Sequence, residues 1–142
     1  MTRPRHPRRR LSRSDVRLLS VALIGEVALG IALRMVPVRV LSRAIARYRA
    51  GLSRLVRAPE ERVAWAIEAV GRRLPWISTC LVRALLADLV LGGAECSGHV
   101  TIGVRRAAGG RLESHAWFER NGRILVGGGG ADRYVTFMIL DC

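Results

Sequence analysis

The spacing of apolar residues changes once along this chain, near residue 93. Before that point apolar residues recur every three to four positions in four separate stretches, which predicts amphipathic helices. After it they alternate with other residues, as in Val100, Ile102 and Val104, which predicts strands. Helices that all precede the strands are typical of an α+β fold, with the helices segregated from an antiparallel sheet. The 142 residues, half of them hydrophobic, suffice for one domain with a real core.

The basic charge of the chain is concentrated at its start. All 24 basic residues are Arg, against 11 acidic residues, and the net charge is +13. Seven of the Arg lie within residues 1–17, together with Pro4 and Pro7, so we expect a disordered basic arm there. The rest of the chain is only mildly basic and has no RNA-binding aromatic patch, zinc finger or helix-turn-helix pattern. We therefore do not expect nucleic acid as a partner.

Residues 18–57 are predicted to form a helical N-terminal region. Glu26 and Arg34 interrupt its apolar run, so no uncharged stretch reaches the ~18 residues that a transmembrane helix needs. We expect instead a buried helix of a soluble domain, ended by Pro37. A second helix, about 38–56, carries a basic face on one side. Contact of this face with a membrane surface stays open but is not what we expect.

The three cysteines, Cys80, Cys96 and Cys142, are odd in number, and their spacings match no metal site. The chain shows no convincing secretion signal, so we expect a reducing cytoplasm as its compartment. We expect neither a metal nor another cofactor. Cys96 is expected to be structural and Cys142 to be exposed.

Residues 58–142 are predicted to form the functional core. A third helix follows Pro59 and stops before Pro75, because proline breaks helices at both points. A fourth helix begins at Ser78-Thr79-Cys80 and ends at Gly92-Gly93. Asn121-Gly122 is a strong hairpin signal between two strands. The predicted strands cover residues 98–105, 112–119 and 123–126.

Cys80 and His115 are the residues that could carry nucleophilic chemistry. A thiol at a helix N-terminus lies in the positive end of the helix dipole, which favours the thiolate. An imidazole beside it can act as general base, and then as general acid to a leaving amine. Without further signals, a buried small hydrophobe and a satisfied core histidine would be the better explanation of the two residues.

Several short motifs around these residues resemble a known family, the transglutaminase-like leader peptidases of lasso-peptide gene clusters, the second half of the split B protein. The resemblance covers about residues 60 to 126. Its motifs are Pro75-x4-Cys80-Leu81-x-Arg83-Ala84-Leu85, Gly92-Gly93-Ala94-Glu95, Ile102-Gly103-Val104-Arg105 and His115-Ala116-Trp117-x-Glu119-x2-Gly122.

The resemblance implies a papain-like cysteine peptidase core with Cys80 as nucleophile and His115 as base. It implies cleavage of a ribosomal precursor peptide between leader and core. It also implies two partners, a separate leader-binding protein and an ATP-dependent macrocyclase. Trp117, on the same strand face as His115, could shield the imidazole or simply belong to the core. Ser78 and Trp76 are candidates for a second oxyanion donor.

The group that orients the imidazole is where the sequence departs from this family. The family has an Asp about twelve residues after the histidine, where this chain has Gly127. Extending the hairpin register pairs Trp117 with Val126 and leaves His115 opposite a glycine. Asp132 could fold back to replace the acid; otherwise a backbone carbonyl or a water would orient the ring. Glu119 lies about 13 Å along the strand, at ~3.3 Å per residue, and is too far.

Two other functions remain open on the sequence alone. The missing acid could mean a catalytically impaired transglutaminase-fold subunit that binds a peptide. An intact Cys80–His115 pair could also belong to an amidase or acyl transferase outside lasso-peptide biosynthesis.

Overall fold

The structure is a computed structural model that describes residues 11–93 and 97–140 of the chain. Four helices precede four strands, which agrees with the predicted α+β class. The helices are α1 (Arg13–Met35), α2 (Val38–Leu55), α3 (Glu60–Gly71) and α4 (Cys80–Leu91). The strands are β1 (Gly98–Arg106), β2 (Leu112–Arg120), β3 (Arg123–Val126) and β4 (Val135–Leu140), with a short 3₁₀ helix, η1 (Ala131–Arg133), before β4.

The helix starts follow from local signals in the sequence. Ser12 caps α1 through a capping box with Asp15, in which each side chain bonds the other's backbone N–H. Pro37 and Pro59 immediately precede α2 and α3, where a missing N–H costs nothing. Residues 13–17, assigned above to the basic arm, therefore belong to α1. Residues 1–10 of that arm, Cys96 and Cys142 lie outside the described residues.

The hydrophobic core lies between α4 and one face of the sheet. Leu85 and Leu86 of α4 are fully buried and share a cluster with Val100, Phe118 and Val126 of the sheet. Buried residues of α1, α2 and α3 belong to the same cluster. Helices from both predicted segments, 18–57 and 58–142, thus contribute to one core, while the boundary between the segments stays a prediction.

Helix α1 is buried on one side only, although we expected a buried helix. Glu26 and Leu29 face the core, whereas Ile24, Ile31 and Met35 are exposed. By length and composition α1 could also cross a membrane, but the core helix of a globular protein can have the same composition. Its buried face packs against α3 and α4.

The sequence analysis missed β4, whose apolar run Val135–Leu140 lacks the alternation that marks a half-buried strand. β4 pairs with β1, so the sheet order is β3-β2-β1-β4. β3 and β4 are opposite edges, and residues 127–134 must therefore cross β2 and β1. Because α4 covers one face of these strands, this crossing segment passes over the other face, where Tyr134 lies beside Gly103.

The predicted register of the β2–β3 hairpin was wrong beyond its first pairs. Arg120 pairs with Arg123 as expected, but a bulge after Phe118 shifts the ladder, and Phe118 rather than Trp117 pairs with Val126. One extra residue on one strand produces such a shift. Because of the bulge, Gly127 lies along β2 one position closer to the turn than the predicted register places it, beside Ala116 and Trp117.

Candidate active site

Cys80 is the first residue of α4, and Thr79 is its N-cap. Thr79 Oγ1 accepts a hydrogen bond from the Val82 N–H at 3.3 Å, as expected of a cap. The remaining N–H groups of the first turn and the helix dipole place partial positive charge beside the Cys80 sulfur. The side chain is half-buried and forms no disulfide. The location suits a thiolate nucleophile.

His115 lies on β2, on the sheet face opposite to the core. The neighbouring Ala116 and Phe118 point into the core under α4, so the alternation of the strand sends His115 and Trp117 to the other face. The imidazole contacts two aromatic rings there, Trp117 at 6.0 Å and Tyr134 at 5.3 Å between centroids. The site is therefore walled by Trp117 and by the crossing segment that ends at Tyr134.

A backbone carbonyl orients the His115 ring. His115 Nε2 lies 2.6 Å from the Gly127 carbonyl oxygen. A carbonyl can only accept, so Nε2 must carry the proton, and in the neutral ring Nδ1 keeps a free lone pair. The position that holds an acid in the resembled family thus orients the ring through its main chain. The sequence left open an acid, a backbone carbonyl or a water as the group that orients the imidazole, and the structure has the backbone carbonyl.

The structure does not bring Asp132 to the imidazole. Asp132 lies in η1, is exposed, and makes no hydrogen bond or ion pair with any residue in the described ranges. The crossing segment does fold over β2, but Gly127 and Tyr134 are the parts of it that contact His115. A catalytic role for Asp132 stays a prediction without a contact to support it.

Gly127 has a conformation and surroundings that favour glycine. Its φ is +80°, in the left-handed region. A Cβ there would lie 2.7 Å from the Ala116 carbonyl oxygen and 3.1 Å from the Trp117 Cα. Both contacts are with main-chain atoms, which cannot turn away as a flexible side chain would. An aspartate side chain at this position has no room in this backbone.

Glu68 of α3 joins the Gly127 main chain to α4, the helix that carries Cys80. Its Oε1 accepts the Gly127 N–H at 2.9 Å, and its Oε2 accepts from Arg83 Nη1 at 2.8 Å. Arg83 is three residues after Cys80, and residues three apart lie on the same helix face. The sequence analysis did not single out Glu68, and nothing in its local pattern marks it.

Glu26 of α1 lies buried beside this pair. It is fully buried, and neither of its carboxylate oxygens has a hydrogen-bond partner in the described part of the chain. Burial raises its pKa above the ordinary value, and the nearby Ser78 hydroxyl and Arg83 guanidinium offset this rise only in part. The adjacent Glu68 carboxylate acts in the same direction as burial. Glu26 is therefore biased toward its neutral form.

Cys80 and His115 make no hydrogen bond with each other in this structure. Their elements are connected instead: α4 packs on β2, and three hydrogen bonds lead from the imidazole through Gly127 and Glu68 to Arg83. Because α4 covers the core face of the sheet and the His115 side chain lies on the other face, this structure does not bring the thiol and the imidazole together. Within residues 11–93 and 97–140, no group of three or more His, Cys, Asp or Glu side chains could hold a metal ion.

Comparison with known proteins supports the fold. Neither the curated proteins nor the solved structures gave a match to this chain. A family model described as the transglutaminase-like superfamily matches residues 8–139. This match includes all four helices and almost all of the sheet, with both Cys80 and His115. The chain belongs to the transglutaminase-like superfamily.

Proposed function

We propose that this protein is a cysteine peptidase that removes the leader from a ribosomally synthesised precursor peptide during lasso-peptide maturation. Membership of the transglutaminase-like superfamily, which includes cysteine peptidases, supports the reaction type. The motifs around Cys80 and His115 support the leader-peptide substrate. The observation that carries the proposal is the bond from His115 Nε2 to the Gly127 carbonyl, because it leaves Nδ1 free to act as a base.

The proposed reaction proceeds in two steps. The reaction requires that substrate binding bring the imidazole to the thiol; His115 Nδ1 then takes the thiol proton of Cys80, and the thiolate attacks the scissile carbonyl carbon. The Cys80 N–H, free at the helix start, stabilises the oxyanion. The imidazolium then gives its proton to the leaving amine, which frees the core peptide and leaves the leader as a thioester. Water, activated by the same imidazole, hydrolyses this thioester and restores the thiol.

The proposed partners follow from the same motifs around Cys80 and His115. A separate leader-binding protein would present the precursor, and an ATP-dependent macrocyclase would close the ring on the freed amine. The free Cys80 thiol suits a cytoplasmic enzyme. A catalytically impaired peptide-binding subunit is the second candidate. It is favoured by the missing side chain at Gly127 and by the absence of a hydrogen bond between Cys80 and His115.

A leader-cleavage assay tests the proposal. A precursor peptide and a leader-binding protein, to be sought among the genes beside this one, are incubated with the full chain, and the products are identified by mass spectrometry. Cys80→Ala and His115→Ala should abolish cleavage, and Asp132→Ala should retain it, because Asp132 contacts nothing at the site. Cleavage that survives Cys80→Ala would refute the nucleophile. No cleavage by the wild type, with unchanged peptide binding by Cys80→Ala, would favour the binding subunit.

Thiol reactivity tests the Cys80–His115 pair separately from any peptide substrate. The rate of alkylation by iodoacetamide is measured against pH in a Cys96→Ser/Cys142→Ser background, so that Cys80 alone reacts. A coupled imidazole should keep the reaction fast well below pH ~8.5, where free cysteine titrates. His115→Ala should remove this low-pH reactivity. Identical profiles for the two proteins would show that the thiol and the ring do not interact.

A further inference from the structure

We propose that Glu68 is the positioning acid of this site and acts on His115 through the main chain of Gly127. This inference rests on the proposed function for its catalytic consequence, while the geometry stands without it. In the resembled family a side-chain acid contacts the imidazole directly. Here the Glu68 carboxylate bonds the main chain of Gly127 rather than the ring, and it lies on α3.

The conformation of Gly127 lets its main chain bond both Glu68 and His115. With φ at +80°, its N–H donates to Glu68 Oε1 while its carbonyl accepts from His115 Nε2. The two bonds are 2.9 and 2.6 Å long. Holding the N–H end fixes the peptide that follows, since only two soft dihedrals separate the two groups. Releasing it would let the carbonyl turn away from the ring.

Glu68 is itself fixed. Its other oxygen receives Arg83 Nη1 at 2.8 Å, and the side chains of this pair are only 27% and 23% exposed. Arg83 belongs to α4, which also carries Cys80. The neighbouring Glu26 is buried and has a raised pKa, so the Arg83 charge remains available to Glu68. Glu68 therefore links Gly127, whose carbonyl accepts from His115, to α4, which carries Cys80.

Among the described residues, no other acidic side chain positions the imidazole more directly than Glu68. Asp132 is exposed and bonds nothing in the described ranges. The Glu119 carboxylate lies near His99 instead, at 3.9 Å. Glu68 is the acidic residue whose contacts lead to the imidazole. The arrangement explains how a chain with glycine at the family's acid position can still orient its base.

The experiment compares Glu68→Ala, Glu68→Gln and the control Glu60→Gln in the full chain. Glu60 lies on the same helix and pairs with Arg120 at 2.7 Å, so its loss removes a similar ion pair that does not contact Gly127. Two NMR signals are followed: exchange protection of the Gly127 amide, and the His115 Nε2–H proton, which the bond to the carbonyl should shelter. The pH dependence of leader cleavage is measured in parallel.

We expect Glu68→Ala to lose protection of the Gly127 amide and the His115 N–H signal. We expect it to lower kcat by about 10²-fold, the scale of a ~1 Å misplacement of a catalytic group, with KM nearly unchanged. Glu68→Gln should recover much of both, since its amide oxygen can still accept the Gly127 N–H. Glu60→Gln should match the wild type.

The outcomes separate this inference from the proposed function. If both NMR signals in Glu68→Ala equal those of Glu60→Gln, the positioning role is overturned, whatever the cleavage assay shows. If the signals are lost but the wild type cleaves no precursor, Glu68 still positions His115, and only the proposed peptidase is overturned. If the signals are lost while kcat and its pH profile stay at wild-type values, the positioning has no catalytic consequence and the inference fails.

Discussion

Replacing Gly127 by alanine should destabilise the protein for two separable reasons. The residue has φ of +80°, and holding an L-residue in the left-handed region costs about 1–2 kcal/mol. The new Cβ would also lie 2.7 Å from the Ala116 carbonyl oxygen, and overpacking a filled site costs about 1–3 kcal/mol more. We therefore expect a total loss of about 2–5 kcal/mol. Domains of this size are stable by roughly 5–15 kcal/mol.

Two other glycines of the same chain serve as matched controls. Gly122 has φ of +72° and nothing within 4 Å of an added Cβ, so Gly122→Ala measures the backbone strain alone. Gly129 also has open space but no positive φ, so Gly129→Ala should change stability by less than ~1 kcal/mol. The expected order of destabilisation is Gly127, then Gly122, then Gly129.

Urea unfolding of the three variants, followed by far-UV circular dichroism, measures these differences. A Gly127→Ala protein as stable as Gly129→Ala would refute both the backbone conformation and the close contact at residue 127. Equal losses of stability in Gly127→Ala and Gly122→Ala would support the backbone strain at residue 127 but refute the close contact of the added Cβ. Gly127→Asp tests the functional side of the argument. We expect it to be at least as unstable as Gly127→Ala and to be no more active than the wild type, although it introduces the acid of the resembled family.

Two further predictions concern buried charges. Glu26 has a pKa raised above 4.5 by burial, so the folded state binds its proton more tightly and wild-type stability falls as pH rises through that raised pKa. Glu26→Gln should therefore gain unfolding free energy relative to the wild type as the pH rises from the ordinary pKa of 4.5 through the raised one, and a difference independent of pH would contradict this. Asp88→Asn should cost about 1.5–3 kcal/mol, the scale of a hydrogen bond to a charged group, because Arg49, 3% exposed, loses one of the groups it contacts, the Asp88 carboxylate at 3.4 Å. The control Glu61→Gln breaks an exposed pair with Arg123 and should cost less than ~1 kcal/mol in the same urea assay.

The helices and the hairpin were predictable because their signals are local. Pro37 and Pro59 restrict their own backbones and so mark where α2 and α3 begin. Asn121 and Gly122 adopt positive φ in the turn between β2 and β3, as the two-residue hairpin signal predicted. The position of Cys80 at the start of α4 followed from Thr79.

Two features of the sheet, β4 and the bulge in the hairpin, have no local signal in the sequence. β4 gave no alternation because both of its faces are largely exposed, and the bulge after Phe118 has no signature in the hairpin sequence. Asp132 was proposed because the four glycines before it could let the loop fold back; η1 leaves its side chain exposed, and its catalytic role stays a prediction.

The sequence by itself determined the order of the four helices and the first three strands, the start of α4 at Cys80 and the β2 face that His115 shares with Trp117, since these depend on residues a few positions apart. The tertiary structure decided what surrounds the imidazole. Glu68 and Gly127 are 59 residues apart, and they meet because β3 is an edge strand that packs against α3. Tyr134 reaches His115 because the order β3-β2-β1-β4 carries residues 127–134 across the sheet. Contacts of this kind depend on the sheet order, which no local pattern encodes.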